Sequence, residues 1–359
     1  MNVLHTKNQS FMTQSLFFAA HLFVAAFLHA ADFFTGPLTT ISALKHGKDV
    51  FLVKDAEGKK YILKYNTKSS WDAPNTEPSI HETLGAKVGM DIGININNVK
   101  LIPACDTSLQ SVDINPHVTK TLHTVVPGKE VNHLTLPYPV NIQLSAGNAT
   151  QNLQSLTRHR NLCQIAALDI YLDNWDRHNG NLFFDETTNQ FYAIDMDWIF
   201  NQIYNFSNNT HDTDADKTVY SFVTNLLQSF QHKPFQCDVL ATHIHQLLHN
   251  VKPEELTPQE MNALREVNAV LQKLQSTYTP RKLFNVWMDI AQQANYTYSI
   301  QKQQYIRYLI AYNYCEITKV CAEINRILSD NGIVSYVQRI KDNALIAWQT
   351  AKLQHNLAI

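Results

Sequence analysis

The most informative stretch of this chain is 173–200, in which polar and apolar residues occur in short blocks. It reads Asp-Asn-Trp-Asp-Arg-His-Asn-Gly-Asn-Leu-Phe-Phe, then a polar turn, then Phe-Tyr-Ala-Ile-Asp-Met-Asp-Trp-Ile-Phe. Turn-forming residues separate the apolar runs 182–184 and 191–194, a pattern that predicts a tight β-hairpin. In such a hairpin Asn181 begins one strand and Asp195 follows its partner, so both side chains can face one point.

The polar residues of this stretch suit phosphate chemistry. Oxygen ligands that converge on one point fit Mg²⁺, which usually takes one or two carboxylates together with phosphate oxygens and water. Asp176 lies on the loop before the hairpin and is free to orient or deprotonate an attacking hydroxyl. A simple polar turn needs only two or three such residues. A metal clamp and a positioning base are the parts that phosphoryl transfer requires.

These residues also form a recognisable motif. The run Asp-Arg-His-x-x-Asn from Asp176 to Asn181, followed by Ile-Asp at 194–195, resembles the catalytic and metal-binding loops of atypical kinases. It is most similar to HipA-like kinases, and phosphatidylinositol 3- and 4-kinases share the same run. The Asp-x-Asp at 195–197 resembles that of spore-coat protein kinases. The Asp-Phe-Gly and His-Arg-Asp orders of ordinary protein kinases are absent from the sequence.

The resemblance implies a role for each residue in a kinase that depends on ATP and Mg²⁺. Asp176 would orient the attacking hydroxyl, and Asn181 and Asp195 would hold Mg²⁺. His178 would either stabilise the loop or touch the γ-phosphate. Asp197 would be either a second metal ligand or a brace of the loop.

An upstream hairpin carries the candidate phosphate-binding lysine. The apolar runs 50–53 and 61–65 flank the turn Asp-Ala-Glu-Gly, and Lys64 lies within the second run. In kinases a lysine at the corresponding strand position binds the α- and β-phosphates of ATP. The resemblance implies this role for Lys64, and an outward-facing strand lysine is the alternative.

A helix is predicted after this hairpin, from Ser79 to about Met90. Ser79 and Glu82 match a capping box, in which a Glu side chain caps the start of the helix. By the kinase resemblance, Glu82 would instead pair with Lys64 and hold it toward the phosphates. Both interpretations stay open, and Glu77 is the substitute for the pairing role.

A further strand is predicted over 118–126, and it ends in Val-Val-Pro-Gly, which is typical of a junction between lobes. In the kinase interpretation, backbone atoms from Leu122 to Val125 would meet the adenine. One more turn is the alternative.

The order of elements predicts an α+β, two-lobed, protein-kinase-like architecture with a β-rich small lobe and a mainly helical large lobe. The expected divisions are a signal-like segment or extra helix over 1–34, the small lobe over 35–127 and the large lobe over 128–359. Apolar spacing of three or four residues predicts helices over 153–172, 219–230, 239–251, 258–275, 283–294, 299–328 and 334–353.

Composition limits the remaining classes. The chain is 45% hydrophobic and 17% charged, which is ample for two lobes. Its net charge is −2 and it has no long Lys/Arg run, so no nucleic-acid partner is expected. Five scattered cysteines without a Cys-x-x-Cys spacing indicate neither a disulfide framework nor a zinc site.

The compartment and the acceptor stay open at this stage. The segment 15–34 is apolar and resembles a secretory signal, but a packed helix fits equally. The protein would therefore be either cytosolic, which includes the cytosol of a host cell, or secreted if the segment is a signal peptide. The polar segment 201–216 has three Asp and no Lys or Arg, which favours a protein serine or threonine over a phosphoinositide surface. A phosphoinositide or small-molecule kinase and a nucleotide-binding pseudokinase are the alternatives, and no strong membrane signal occurs beyond the N-terminal segment.

Overall fold

The computed structural model describes residues 33–44, 49–65, 76–109, 112, 115, 117–134, 159–174, 176–200 and 258–329. The first part of the chain forms an antiparallel sheet of five strands: β1 (Thr39–Ala43), β2 (Val50–Lys54), β3 (Lys60–Tyr65), β4 (Val99–Ile102) and β5 (Lys120–Thr124). Their order across the sheet is β1-β2-β3-β5-β4. Strand β5 is therefore paired on both sides, with β3 and with β4.

The two faces of this sheet carry different residues, because successive side chains of a strand point to opposite faces. Tyr61, Leu63 and Leu122 belong to an apolar cluster of the first sheet. Lys64 is on the other face, which is turned toward helix α1 (Glu77–Asp91), as a contact with a glutamate of that helix shows.

The second part combines a small sheet with helices. Strands β6 (Lys129–Glu130), β7 (Leu182–Asp185) and β8 (Gln190–Ala193) form the small sheet. They pack with α1 and with helices α2 (Arg160–Leu172), α3 (Pro258–Thr277), α4 (Pro280–Gln293) and α5 (Ile300–Leu328) around one apolar core. Fully buried residues of this core include Leu84, Leu168, Phe191, Trp287 and Tyr305.

The chain passes from the first sheet to the second over residues 125–128. Gly128 adopts a φ of 92°, which favours glycine. A Cβ there would overlap the backbone carbonyl of Phe184, so only glycine fits this close approach. The predicted lobe boundary at 127/128 lies in this stretch, but the division into 1–34, 35–127 and 128–359 stays a prediction.

The predicted α+β class is confirmed, with a β-rich first part and a helical second part. The predicted hairpins at 50–65 and 182–194 are also confirmed. The helices predicted over 258–275, 283–294 and 299–328 match α3, α4 and α5 within a few residues. The predicted segments 201–216, 219–230, 239–251 and 334–353 lie outside the described residues, as does residue range 15–32 of the predicted segment 15–34.

The predicted start of α1 is wrong. The helix begins at Glu77, with Thr76 as its first flanking residue, because Pro78 is well suited to a first turn. Ser79 therefore lies inside the helix, where its carbonyl accepts a hydrogen bond from the Thr83 hydroxyl, and it does not form a capping box with Glu82. Within the described ranges, no helix is long and apolar enough to cross a membrane.

Candidate active site

A cluster of charged side chains joins the two parts of the molecule. The Nζ atom of Lys64, on β3, lies 2.5 Å from Asp195 Oδ1 and 3.2 Å from Asp197 Oδ2, both just beyond β8. The same atom lies 3.5 Å from both carboxylate oxygens of Glu82, on α1. Residues that are 131 positions apart in the chain, Lys64 and Asp195, thus meet directly.

The cluster holds more negative than positive charge. Burial opposes the charged form of Lys64, but attraction by the three carboxylates outweighs it and raises the pKa of Lys64 well above its usual value. Burial also raises the pKa of Asp197 well above its usual value, and the charges of Asp195 and Glu82 add to this effect. Three acids around one base can be neutralised by a divalent cation, which would remove the repulsion among them.

The backbone aims Asp195 into the cluster. Its φ of 58° lies in the left-handed region, which aspartate adopts more readily than most residues. The backbone amide of Ile194 donates a hydrogen bond to the Asn181 carbonyl at 3.2 Å. This bond holds together the two chain segments that enter and leave the hairpin at its open end. Asn181 and Asp195 are therefore neighbours, as the hairpin pattern predicts.

Arg177 is the brace of these loops. Its guanidinium group is fully buried and bonds Asp169 of α2 at 2.9 Å and 3.1 Å. It also donates to the carbonyls of Asn181 at 2.6 Å and Ile194 at 2.7 Å. Arg177 therefore fixes the loops that carry Asn181 and Asp195 to the core. A buried, fully bonded ion pair of this kind is costly to break, because each lost partner leaves a charge uncompensated.

The candidate base lies on the open side of the same loops. The side chain of Asp176 is 41% exposed, and its carboxylate accepts a hydrogen bond from Asn181 Nδ2 at 3.4 Å. Asn181 Nδ2 also donates to the Asp176 carbonyl at 2.8 Å. Burial of its inner part raises the pKa of Asp176, and the nearby Asp195 charge adds to this, while His178 acts against it. A carboxylate with a raised pKa is a better proton acceptor.

His178 stabilises the loop. Its Nδ1 atom accepts a hydrogen bond from the amide of Gly180 at 2.9 Å and so caps the short turn Asn179–Asn181. Its Nε2 atom lies 3.8 Å from Asp176 Oδ2. Of the two roles predicted for His178, loop stabilisation has direct geometric support, and contact with a γ-phosphate stays a prediction.

Helix α1 is seated closely on the loop that carries Asp195 and Asp197. A Cβ on Gly85 would lie only 2.5 Å from the Cβ of Met196, the residue between those two acids. At the start of the helix, Glu77 forms a buried ion pair with Lys302 of α5. Glu77 is thus the wrong substitute for pairing with Lys64, because its carboxylate pairs with Lys302 while Lys64 pairs with Glu82.

The predicted adenine contacts separate into two groups. Leu122 lies in the middle of β5, with β3 and β4 paired on either side, and its side chain belongs to the apolar cluster of the first sheet. Its backbone groups are therefore engaged in the sheet, so the prediction of an adenine contact at Leu122 needs correction. Val125 follows the end of β5, is 47% exposed, and remains a candidate.

Several polar residues of the site were not anticipated from the sequence. Thr121 and His123 alternate with Leu122, so they lie on the same face of the sheet as Lys64, and both contact Glu82. Asn97 in turn contacts His123. The alternation of the strand could have identified them, but only if its register against β3 had been known.

Replacing Gly85 by alanine should disturb the cluster. The new methyl group would collide with Met196 Cβ, which cannot rotate away, so α1 should shift from its seat. We expect the free energy of unfolding to fall by about 1–3 kcal/mol, although alanine favours a helix by about 1 kcal/mol over glycine. Chemical denaturation measures this change.

Gly89→Ala is the matched control, one turn further along α1. There the nearest atoms, 3.0 Å and 3.1 Å away, belong to the side chains of Leu168 and Ile96, which can adjust. Gly89→Ala should therefore be the more stable of the two variants. Equal stability would mean that α1 does not approach Met196 as closely as described.

No three His, Cys, Asp or Glu side chains in the described ranges are grouped so that they could hold a metal by themselves. The candidate ligands stay the predicted set, Asn181 and Asp195 with Asp197 nearby. Mg²⁺ usually draws only one or two carboxylates from a protein and takes the rest of its ligands from phosphates and water.

Comparison with known proteins gives matches at the level of solved structures. No family model matches the chain, and a search of curated proteins finds no match either. The Helicobacter pylori proinflammatory kinase CtkA matches with a TM-score of 0.43 at 10% identity, over 82% of this chain and 98% of that one. The Golgi casein kinase matches with a TM-score of 0.41 at 12% identity, over 87% and 76%.

A third match is the Rio2 kinase from Chaetomium thermophilum in an ADP/Mg²⁺-phosphoaspartate complex. Its TM-score is 0.29 at 11% identity, over 67% of this chain and 72% of that one. With such low identities and TM-scores, the activity of this chain must be argued from its own side chains.

Proposed function

We propose that this protein is an ATP- and Mg²⁺-dependent phosphotransferase. The observation that carries the proposal is the contact of Lys64, from the first sheet, with Asp195 and Asp197, from the loop after the second. Such a cluster places a phosphate-binding cation beside candidate metal ligands, and phosphoryl transfer depends mainly on positioning and on charge stabilisation. Asp176 lies at the edge of the same cluster and supplies the base.

The cluster fits a divalent cation in its chemistry. Its carboxylate oxygens are hard ligands, and burial together with the charges of Asp195 and Glu82 raises the pKa of Asp197, as described above. Asn181 and Asp195 would hold Mg²⁺, with Asp197 as a second acid. When bound, Mg²⁺ would neutralise charge on the phosphates during transfer. Lys64, held by Glu82, would bind the phosphates of ATP, and backbone atoms near Val125 would meet the adenine.

The chemical step follows from the position of Asp176. An acceptor hydroxyl would approach its exposed carboxylate, which orients the hydroxyl and takes its proton. A bond forms from the hydroxyl oxygen to the γ-phosphorus, and the bond from that phosphorus to the bridging oxygen breaks, which releases ADP. Asn181, which donates to the Asp176 carboxylate and carbonyl, would keep the base in position.

The acceptor is proposed to be a serine or threonine of a protein, as in HipA-like kinases. This finer proposal rests on the motif from Asp176 to Asn181 and on the acid-rich segment 201–216, which would be repelled by anionic lipid. Incubation with γ-labelled ATP and Mg²⁺ tests it. Label on protein supports the proposal, whereas label on a phosphoinositide or small molecule would redirect it.

Lys64→Met should lose phosphoryl transfer but remain folded. A methionine fits a strand and keeps the length of the side chain, but it removes the charge that meets the phosphates. The expected fall in turnover is about 10²- to 10³-fold, the usual cost of losing one group that stabilises developing charge. A transfer assay with labelled ATP and far-UV circular dichroism measure the two effects.

Lys60→Met is the matched control, because Lys60 lies on the same strand and is exposed. We expect its turnover to equal that of the unmodified protein. If Lys60→Met were the damaging change and Lys64→Met were active, the phosphate-binding position would be misassigned.

A further inference from the structure

A chain of buried polar side chains runs behind the Lys64–Glu82 pair. Asn97 Nδ2 lies 2.6 Å from His123 Nδ1, and His123 Nε2 lies 2.7 Å from the Thr121 hydroxyl. That hydroxyl donates to Glu82 Oε2 at 3.3 Å. We propose that His123 is a positioning residue, which acts on Glu82 through Thr121 and through its own 3.5 Å contact to hold Lys64 in the phosphate-binding position. This inference rests on the proposed function.

The hydrogen-bond directions along this chain are mutually consistent. The side-chain amide of Asn97 donates to His123 Nδ1, which leaves the proton of a neutral imidazole on Nε2. That proton goes to the oxygen of Thr121, whose own hydroxyl proton is then free to reach Glu82. Glu82 accepts at the end of the chain, as an ionised carboxylate must. Every polar atom on the path therefore has a partner of the right kind.

Glu82 needs such support because its carboxylate is buried and has little access to water. Burial alone would raise the pKa of Glu82, but the attraction of Lys64 and the hydrogen bond from His123 outweigh it and lower the pKa. The Lys64 contact is long, at 3.5 Å, whereas the ammonium is closer to Asp195. Without the bonds from β5, the Glu82 carboxylate would lose fixed donors in a place where unsatisfied polar groups are costly.

This series of hydrogen-bonded side chains is also connected to the loop that carries Asp195. The backbone amide of Asn97 donates to the Ala193 carbonyl at 3.3 Å, and the backbone amide of Ala193 donates to the Asn95 carbonyl at 3.0 Å. Ala193 ends β8, two residues before Asp195. His123 therefore links the strand that ends near the proposed adenine site to both halves of the charged cluster.

A direct role in adenine binding is the competing explanation, because His123 lies one residue before the end of β5. A double-mutant cycle on calorimetric Mg²⁺·ADP affinity separates the two. Thr121→Val keeps the shape of the side chain but removes the hydroxyl, and His123→Leu removes both ring nitrogens. Each should weaken binding about tenfold, the effect expected when a charged group loses a hydrogen bond.

Both changes should have no further effect in a Lys64→Met background if they act through Lys64. An unchanged loss in that background would mean direct adenine contact and would overturn the proposal. Thr121→Ser keeps the hydroxyl, and His123→Gln keeps one side-chain donor and one acceptor, so both should restore affinity. His133→Gln, at an exposed histidine, is the control and should bind normally.

A second measurement does not depend on nucleotide. The shift in the thermal unfolding midpoint is compared for Thr121→Val, Glu82→Gln and the double variant without ligand. A non-additive shift supports the coupling of Thr121 to Glu82 even if the protein fails to bind ADP, in which case only the proposed function is contradicted. Additive shifts would mean that Thr121 and Glu82 are not coupled and would overturn the proposed role of His123, whatever the result for nucleotide binding.

Discussion

Asp195→Asn should leave the protein folded and remove the Mg²⁺-dependent part of its nucleotide affinity and turnover. Asparagine keeps the size of the side chain and tolerates the left-handed backbone at this position, where φ is 58°. What it removes is the negative charge that would bind the cation. Loss of such a ligand costs several kcal/mol of transition-state stabilisation, so turnover should fall by more than about two decades.

Isothermal titration calorimetry of the binding of an ATP analogue, in the presence of Mg²⁺ and in the presence of a chelator, measures the Mg²⁺-dependent part of the nucleotide affinity. Asp289→Asn is the control, because Asp289 is an exposed aspartate on α4. Asp197→Asn shows whether the second acid is a ligand, which would reduce Mg²⁺ dependence, or a brace, which would not. Unchanged Mg²⁺ dependence in Asp195→Asn would remove Asp195 from the metal site and with it the basis of the proposed function.

The convergence of Asn181 and Asp195 could be predicted because it is a local property. A short turn between two apolar runs defines a hairpin, and a hairpin brings the residues at its open end together. The contact of Lys64 with Asp195 is different, because it joins strands of separate sheets and follows from no spacing in the sequence. The family resemblance of the motif implied only that both residues serve one ATP site, and it did not predict their direct contact.

The role of Arg177 could not be deduced from its surroundings in the sequence. It stands in a polar run, where a charged residue is normally exposed, yet it is fully buried against Asp169. One signal was present, because Asp169 interrupts an otherwise apolar stretch of α2. A buried acid in such a stretch requires a partner, but the sequence does not say which cation supplies it.

The choice between Glu77 and Glu82 also required the structure. The two residues are five apart, so they point about 140° away from each other around a helix, and only one can face Lys64. The capping-box pattern at Ser79 misplaced the first turn. The structure instead directs Glu77 to Lys302 and Glu82 to Lys64.

Asp176→Asn should reduce turnover by roughly two to four decades, the usual contribution of a general base. Asparagine keeps the size of the side chain and its bond to Asn181, but it cannot take the proton of the acceptor hydroxyl. Nucleotide affinity should change little, because Asp176 lies on the acceptor side and has no contact with Lys64. The remaining activity would come from binding and from charge stabilisation by the intact cluster.

The pH dependence gives an independent check on the same variant. Burial and the charge of Asp195 raise the pKa of Asp176, and the form required for catalysis is the deprotonated one. Turnover of the unmodified protein should therefore rise with pH across a range above that of an ordinary aspartate. The residual turnover of Asp176→Asn should lack this rise, since the titrating group is gone.

Calorimetric ATP binding and a phosphorylation assay on one sample of Asp176→Asn decide the role of this residue. Normal binding with lost turnover identifies it as the base. Lost binding would instead make Asp176 a metal ligand or a structural residue, because a base on the acceptor side should not affect nucleotide. Full turnover would show that the loop is not catalytic, and a protein that binds nucleotide without transferring phosphate would become the better explanation of the cluster around Lys64.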